Sequence, residues 1–70
     1  MKIKANNYTK GEIIKILREW TSLTQEEFGK SIGKSKPSIQ AYELDKVNYG
    51  IETLLKIAKK HGITITLEKK

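Results

Sequence analysis

The stretch LTQEEFGKSIGKSKPSIQAYE, Leu23 to Glu43, decides how this chain is read. It divides into two short helices joined by a tight turn at Gly33, where a positive backbone φ is cheap. The first half opens on Thr24-Gln25-Glu26-Glu27, a capping box in which the threonine and the second glutamate satisfy two orphan backbone donors. Leu23 stands ahead of it as a hydrophobic staple, and Phe28 and Ile32 supply the apolar side. In the second half Ser35 is the cap and Lys36-Pro37 fills the first turn, where a missing amide donor costs little. Ile39 and Tyr42 point to a core at i, i+3 spacing, while the opposite face offers Lys36, Gln40 and Ala41. Gly29 to Tyr42 carries three lysines and no acid, so this second helix is fitted to a polyanion.

The flanks read as support for that helix. Thr9-Lys10-Gly11-Glu12 is another capping box, and Ile13, Ile14, Leu17 and Trp20 follow at helical spacing as a buried face, with Ile16 at its edge. After a loop from Leu44 to Gly50, a fourth helix is expected over about Ile51 to Lys60. It would bury Ile51, Leu54, Leu55 and Ala58, with Ile57 beside that stripe and facing a partner chain, and Gly62 just past its end. The tail alternates through Ile63, Ile65 and Leu67, and the start alternates more weakly through Met1, Ile3 and Ala5, so two short terminal strands invite pairing with each other. A lone two-stranded ribbon is marginal and leaves open edges, so the same pattern predicts a second subunit.

Seventy residues make one small domain that buries about 60% of the surface of its extended chain. There is no cysteine, hence no disulfide or thiolate metal site, and the lone His61 has no ligand cluster around it; its simplest role is at the end of the fourth helix. Apolar residues at 37% and charged residues at 31% describe a globular chain rather than a disordered one. No apolar run is long enough to span a membrane and the first residues lack a signal-peptide core, so the expected location is cytoplasmic. The 14 Lys and Arg against 8 Asp and Glu give a net charge of +6 that favours an anionic partner. No nucleotide-binding loop, zinc-protease motif or paired catalytic acids occur, so no enzyme, cofactor or metal centre is expected.

Leu23-Thr24-Gln25-Glu26-Glu27-Phe28-Gly29, Ile32-Gly33, Ser38-Ile39, Tyr42-Glu43, and Ile51 with Leu54-Leu55-Lys56-Ile57-Ala58 together resemble the Cro and phage-repressor, or XRE, class of helix-turn-helix domains. The resemblance covers about Glu12 to Ile63. It implies a mostly α, lambda-repressor-like four-helix domain with short N- and C-terminal β-strands, a single domain over residues 1–70 with a core of about 12–63 and a helix-turn-helix motif at 24–43. Gly29 then lies where two helices cross most closely. By the same resemblance Gln25 contacts a phosphate, and bases are read from Lys36, Pro37, Ser38, Gln40 and Ala41. Lys34 and Ser35 lie between the two helices and suit phosphate contact, and Lys46 and Asn48 would reach phosphates on the far side. Lysine or glutamine at such positions addresses guanine or adenine, and Pro37 or Ala41 suits a thymine methyl. The Lys36-Pro37 pair departs from the polar residues frequent there and leaves the exact base contacts open.

The expected function is that of a sequence-specific double-stranded DNA-binding transcriptional regulator, a small Cro-type repressor of a phage or mobile element acting by operator occupancy. Such short chains leave no room for a separate sensing domain, so control would come from concentration or a second protein. Few base contacts per reading helix call for a homodimer, through the C-terminal strand, helix four or both, on a pseudopalindromic operator. Two other readings are compatible: the antitoxin of a toxin–antitoxin pair, with a toxin as protein partner, and an interaction or coactivator module that has lost base reading.

Overall fold

A computed structural model describes residues 2–67. The elements run β1 (Lys2–Lys4), a 3-10 turn (Ala5–Asn7), α1 (Lys10–Thr21), α2 (Gln25–Ser31), α3 (Lys36–Glu43), α4 (Ile51–His61) and β2 (Thr64–Thr66). This is the mostly helical Cro-type arrangement with short terminal strands. Met1 and residues 68–70, expected as the outer parts of the two strands, lie outside the described residues.

Helix starts follow local chemistry. The Glu12 and Glu27 amides donate to the Thr9 and Thr24 hydroxyls at 3.1 Å in each case, and each glutamate accepts the amide of its threonine in return. That return bond, with the threonine hydroxyl, holds the Glu27 carboxyl below its ordinary pKa. Ser35 accepts the Ser38 amide at the start of α3, with Pro37 in the first turn. Gly33 closes the turn between α2 and α3 at φ 72°.

Phe28, Ile14, Leu17, Ile32, Ile39 and Ile57 form the fully buried centre. Trp20 and Leu23 pack against it only partly buried. Helices α2 and α3 cross at Gly29, where a Cβ would come within 2.6 Å of the Lys34 carbonyl oxygen and 3.2 Å of Ile39. The expected close approach is therefore present.

A second close approach, unforeseen from sequence, joins α1 to α3. A Cβ on Gly11 would lie 2.6 Å from the Tyr42 carbonyl oxygen. Asp45, left-handed at φ 57°, sends its carboxylate to this point and accepts the Gly11 amide at 2.7 Å and the Thr9 hydroxyl at 3.0 Å. The far end of the joint is a bidentate ion pair: Arg18 Nε and Nη2 donate to Glu43 at 2.6 and 3.1 Å. Arg18 also donates to the Leu23 carbonyl, tying α1, the entry to α2 and the end of α3 together. The hydrogen bond to Glu43 raises the Arg18 pKa.

Tyr49, in the loop before α4, belongs to the core. Its hydroxyl donates to the Lys10 carbonyl at 2.8 Å, its ring meets Tyr42 edge-on, and the Lys10 ammonium lies over it and donates to its carbonyl. Burial, with Asp45 nearby, pushes the phenol up to about 12.

Helix α4 differs from expectation in rotational phase. Ile57 is fully buried, whereas Ile51 and Leu55 are 65% and 58% exposed. The reason lies at His61, which shares a face with Leu54 and Ile57. Its ring stacks on Phe28 at 5.4 Å and 14°, and its Nε2 meets the Ser31 hydroxyl at 2.9 Å. Ser31 donates its own proton to the Phe28 carbonyl, so the imidazole Nε2 is the donor in this pair. An aromatic contact at the end of α4 thus sets which side faces inward, and His61 is a packing residue rather than a solvated terminus.

The terminal strands pair with each other, in parallel, with Lys2, Ile3 and Lys4 opposite Thr64, Ile65 and Thr66. Ile3 and Ile63 are buried beneath the helices, and the Thr66 hydroxyl donates to the Ile3 carbonyl. Strand periodicity stops short of expectation, since Ala5 enters the 3-10 turn and Leu67 is exposed beyond β2. Among the described residues no helix is long and apolar enough to cross a membrane.

Candidate nucleic-acid interface

Helix α3 has one buried face and one open one. Ile39 and Tyr42 point inward, and Glu43 is drawn inward by Arg18. Counting 100° per residue, Pro37, Gln40, Ala41 and Leu44 fall directly opposite, at i, i+3, i+4 and i+7. Lys36, Pro37, Gln40 and Leu44 are exposed, and Ala41 is half-buried. Ser38 is half-buried too, and its hydroxyl lies 3.0 Å from that of Ser35, one hydrogen bond that leaves each hydroxyl with capacity for another partner.

Two shallow hollows flank this face. One of about 590 Å³ is lined by Arg18, Thr24, Gln25, Glu26, Glu27 and Lys36. The other, about 210 Å³, is lined by Pro37, Gln40, Ala41, Leu44 and Lys46. The structure thus brings Gln25 next to Lys36 across the two helix starts, and gathers three of the base-reading candidates with Lys46. Lys34, Ser35, Ser38 and Asn48 line neither hollow. Lys34 is half-buried at the turn, where its amide donates to the Gly29 carbonyl at 2.8 Å; Ser35, Lys46 and Asn48 are exposed.

Gln25 is held rather than free. Its Nε2 donates to Glu43 Oε1 at 3.3 Å, which leaves one amide proton for an outside acceptor. The arrangement ties the orientation of Gln25 to the ion pair that seats α3.

The charge distribution separates the two hollows. Glu43 is paired with Arg18, so the outer row of α3 (Pro37, Gln40, Ala41 and Leu44) carries no carboxylate, while Lys36 lies at its edge in the larger hollow. Glu26 and Glu27 face the larger hollow and oppose an anion there, with Glu26 weakly paired to Lys30 at 4.0 Å. The smaller hollow contains a single charged group, Lys46. No group of three or more metal-ligating side chains occurs among the described residues.

Leu44 is the residue of this face that sequence reading missed. The pattern places it in the loop, yet it caps α3 and continues the outward row one turn beyond Gln40. Its spacing from Pro37 was the available signal.

A family profile described as helix-turn-helix matches residues 14–67. No curated protein and no solved structure gives a significant match.

Proposed function

Because the chain belongs to the helix-turn-helix family, a DNA-binding regulatory architecture, we propose that it is a sequence-specific regulator of the Cro type that represses by occupying an operator. The observation that carries this reading is the acid-free outer row of α3, with Gln40 exposed on it and exposed Lys36 at its edge. The opposite face of the same helix is locked by Gly29, Ile39, Tyr42 and the Arg18–Glu43 pair. A helix held from behind and bare in front suits insertion into a major groove. In this proposal Lys36, Pro37, Ser38, Gln40 and Ala41 address bases. Gln25, Lys34, Ser35, Lys46 and Asn48 address phosphates, which position the protein without reading sequence.

The active species in this proposal is a homodimer on a pseudopalindromic site. Exposed Ile51 and Leu55 on α4 and the open edges of the β1–β2 ribbon are the surfaces that support it. The same exposed pair favours one second reading, an antitoxin whose α4 meets a toxin. Co-purification of a toxin that Leu55→Glu releases would establish that reading in place of the homodimer.

The test is enrichment of bound duplexes from a random pool, followed by gel shifts. Gln40→Ala should relax the preference at one position per half-site. Lys34→Ala should weaken all duplexes nearly equally and reduce the salt slope by about 1. If no motif is enriched, the specific-regulator reading fails.

A further inference from the structure

The open face of α3 is poor in hydrogen-bonding groups. Pro37, Ala41 and Leu44 are apolar, Gln40 lies among them, and all four line one hollow together with Lys46. Leu44 is 57% exposed with no buried counterpart to satisfy. Its backbone is nonetheless fixed, because its amide donates to the Gln40 carbonyl at 3.1 Å and the next two amides donate to Tyr42 and Ala41. An exposed leucine on a rigid backbone, in the row that faces away from the core, has a defined place to present its methyl groups.

The major groove contains one apolar feature among the four standard bases, the C5-methyl group of thymine. Apart from the small C5–H of cytosine, the remaining base-edge groups are hydrogen-bond donors and acceptors, which three apolar side chains would strip of water without replacing its bonds. A Gln40 amide suits the N6 and N7 edge of adenine, and each adenine is paired with a thymine. The apolar neighbours and the amide therefore converge on the same class of base pair. Lys46, the one charged group lining this hollow, keeps the phosphate role given to it above.

We infer that Leu44, with Pro37 and Ala41, is a specificity-determining residue that reads thymine methyl groups, so that the α3 contact selects A·T pairs chiefly by apolar contact. This rests on the regulator reading above, and it adds Leu44 to the reading surface and makes apolar contact its chief means of selection.

The experiment takes the duplex enriched from the random pool and replaces its thymines one at a time by deoxyuridine, which removes the methyl group and keeps the pairing. Binding is measured at one fixed salt concentration. Wild-type protein should lose about fourfold in affinity at each contacted thymine, the equivalent of one buried methyl. Leu44→Ala should abolish that loss at one thymine per half-site and leave the others unchanged. Its thermal midpoint should match wild type, because the side chain is exposed. An enriched motif with a flat deoxyuridine scan would overturn this inference while leaving the regulator reading intact. So would a Leu44→Ala protein that keeps every deoxyuridine loss. Absence of any enriched motif would remove both.

Discussion

Helices α3 and α4 both carry apolar residues outward but are seated in different ways. Helix α3 is seated by interactions that are specific at every point: a backbone near-contact at Gly29, another at Gly11, a buried pair of side chains in Ile39 and Tyr42, and a bidentate ion pair at its end. Its outer row is left open, and in the proposed function that row meets DNA. Helix α4 is seated by Leu54, Ile57 and the His61 stack, and keeps two large apolar residues, Ile51 and Leu55, on its outer side. Polar locks fix orientation as well as contact, which a helix that reads bases needs, because a small displacement misplaces every hydrogen bond. The outer stripe of α4 needs only to be covered, and in the proposed function a protein neighbour covers it.

The sharpest break of this comparison lies within α4. Ile57→Ala should cost about 2–5 kcal/mol by urea unfolding, and Leu55→Ala should stay within about 0.5 kcal/mol of wild type. The reverse order would mean that α4 is turned the other way. In α3, Glu43→Gln leaves the Arg18 guanidinium without its counter-charge and loosens Gln25. A loss of about 1–3 kcal/mol is expected, smaller than for a fully enclosed pair because Arg18 retains some exposure. DNA affinity should fall further than stability alone accounts for, since Gln25 would lose its anchor; an unchanged affinity would separate the lock from the reading face. Leu55→Glu should leave the fold intact and shift sedimentation toward monomer. A dimer that survives it would move the interface to the strand ribbon.

The smallest effects are those of pH. Burial and Lys60 lower the His61 pKa below 6.5, so its neutral form is favoured in the fold. The unfolded chain takes up the proton first, so this contribution is full above pH 6.5 and is lost as pH falls through the folded value. Glu27, lowered below 4.5, adds a second loss further into acid. Urea midpoints of His61→Gln should lack the first decline, and those of Glu27→Gln the second.

What sequence made legible was whatever local chemistry specifies. Thr9, Thr24 and Ser35 announce helix starts through their neighbours, Gly33 its turn, and the alternation around Ile3 and Ile65 a pair of strands. What it hid depends on partners distant in the chain. Gly11 looks like an ordinary residue of a helix start until Asp45 and the Tyr42 carbonyl arrive against it. Tyr49 looks like loop until it finds Lys10 and Tyr42. The phase of α4 was misjudged because Ile51, Leu54, Leu55, Ile57 and Ala58 form an apolar arc wider than one face, and hydrophobicity cannot say which edge turns inward. A histidine on Phe28 decides it. At the candidate interface the exposed positions Lys36 and Gln40 followed from the periodicity of α3 and Pro37 from the family resemblance, whereas the tether on Gln25 and the outward place of Leu44 required the structure.

The parallel ribbon has a kinetic consequence. Ile3 and Thr66 are 63 residues apart in the chain, yet hydrogen-bonded. Their encounter closes nearly the whole polypeptide into a loop, and it wins little interaction energy until the four helices are in place to receive Ile3 and Ile63. The helices meet through much nearer neighbours. The ribbon therefore joins late on the route to the native state and parts early on the way out, a clasp fastened over a helical body that has already assembled.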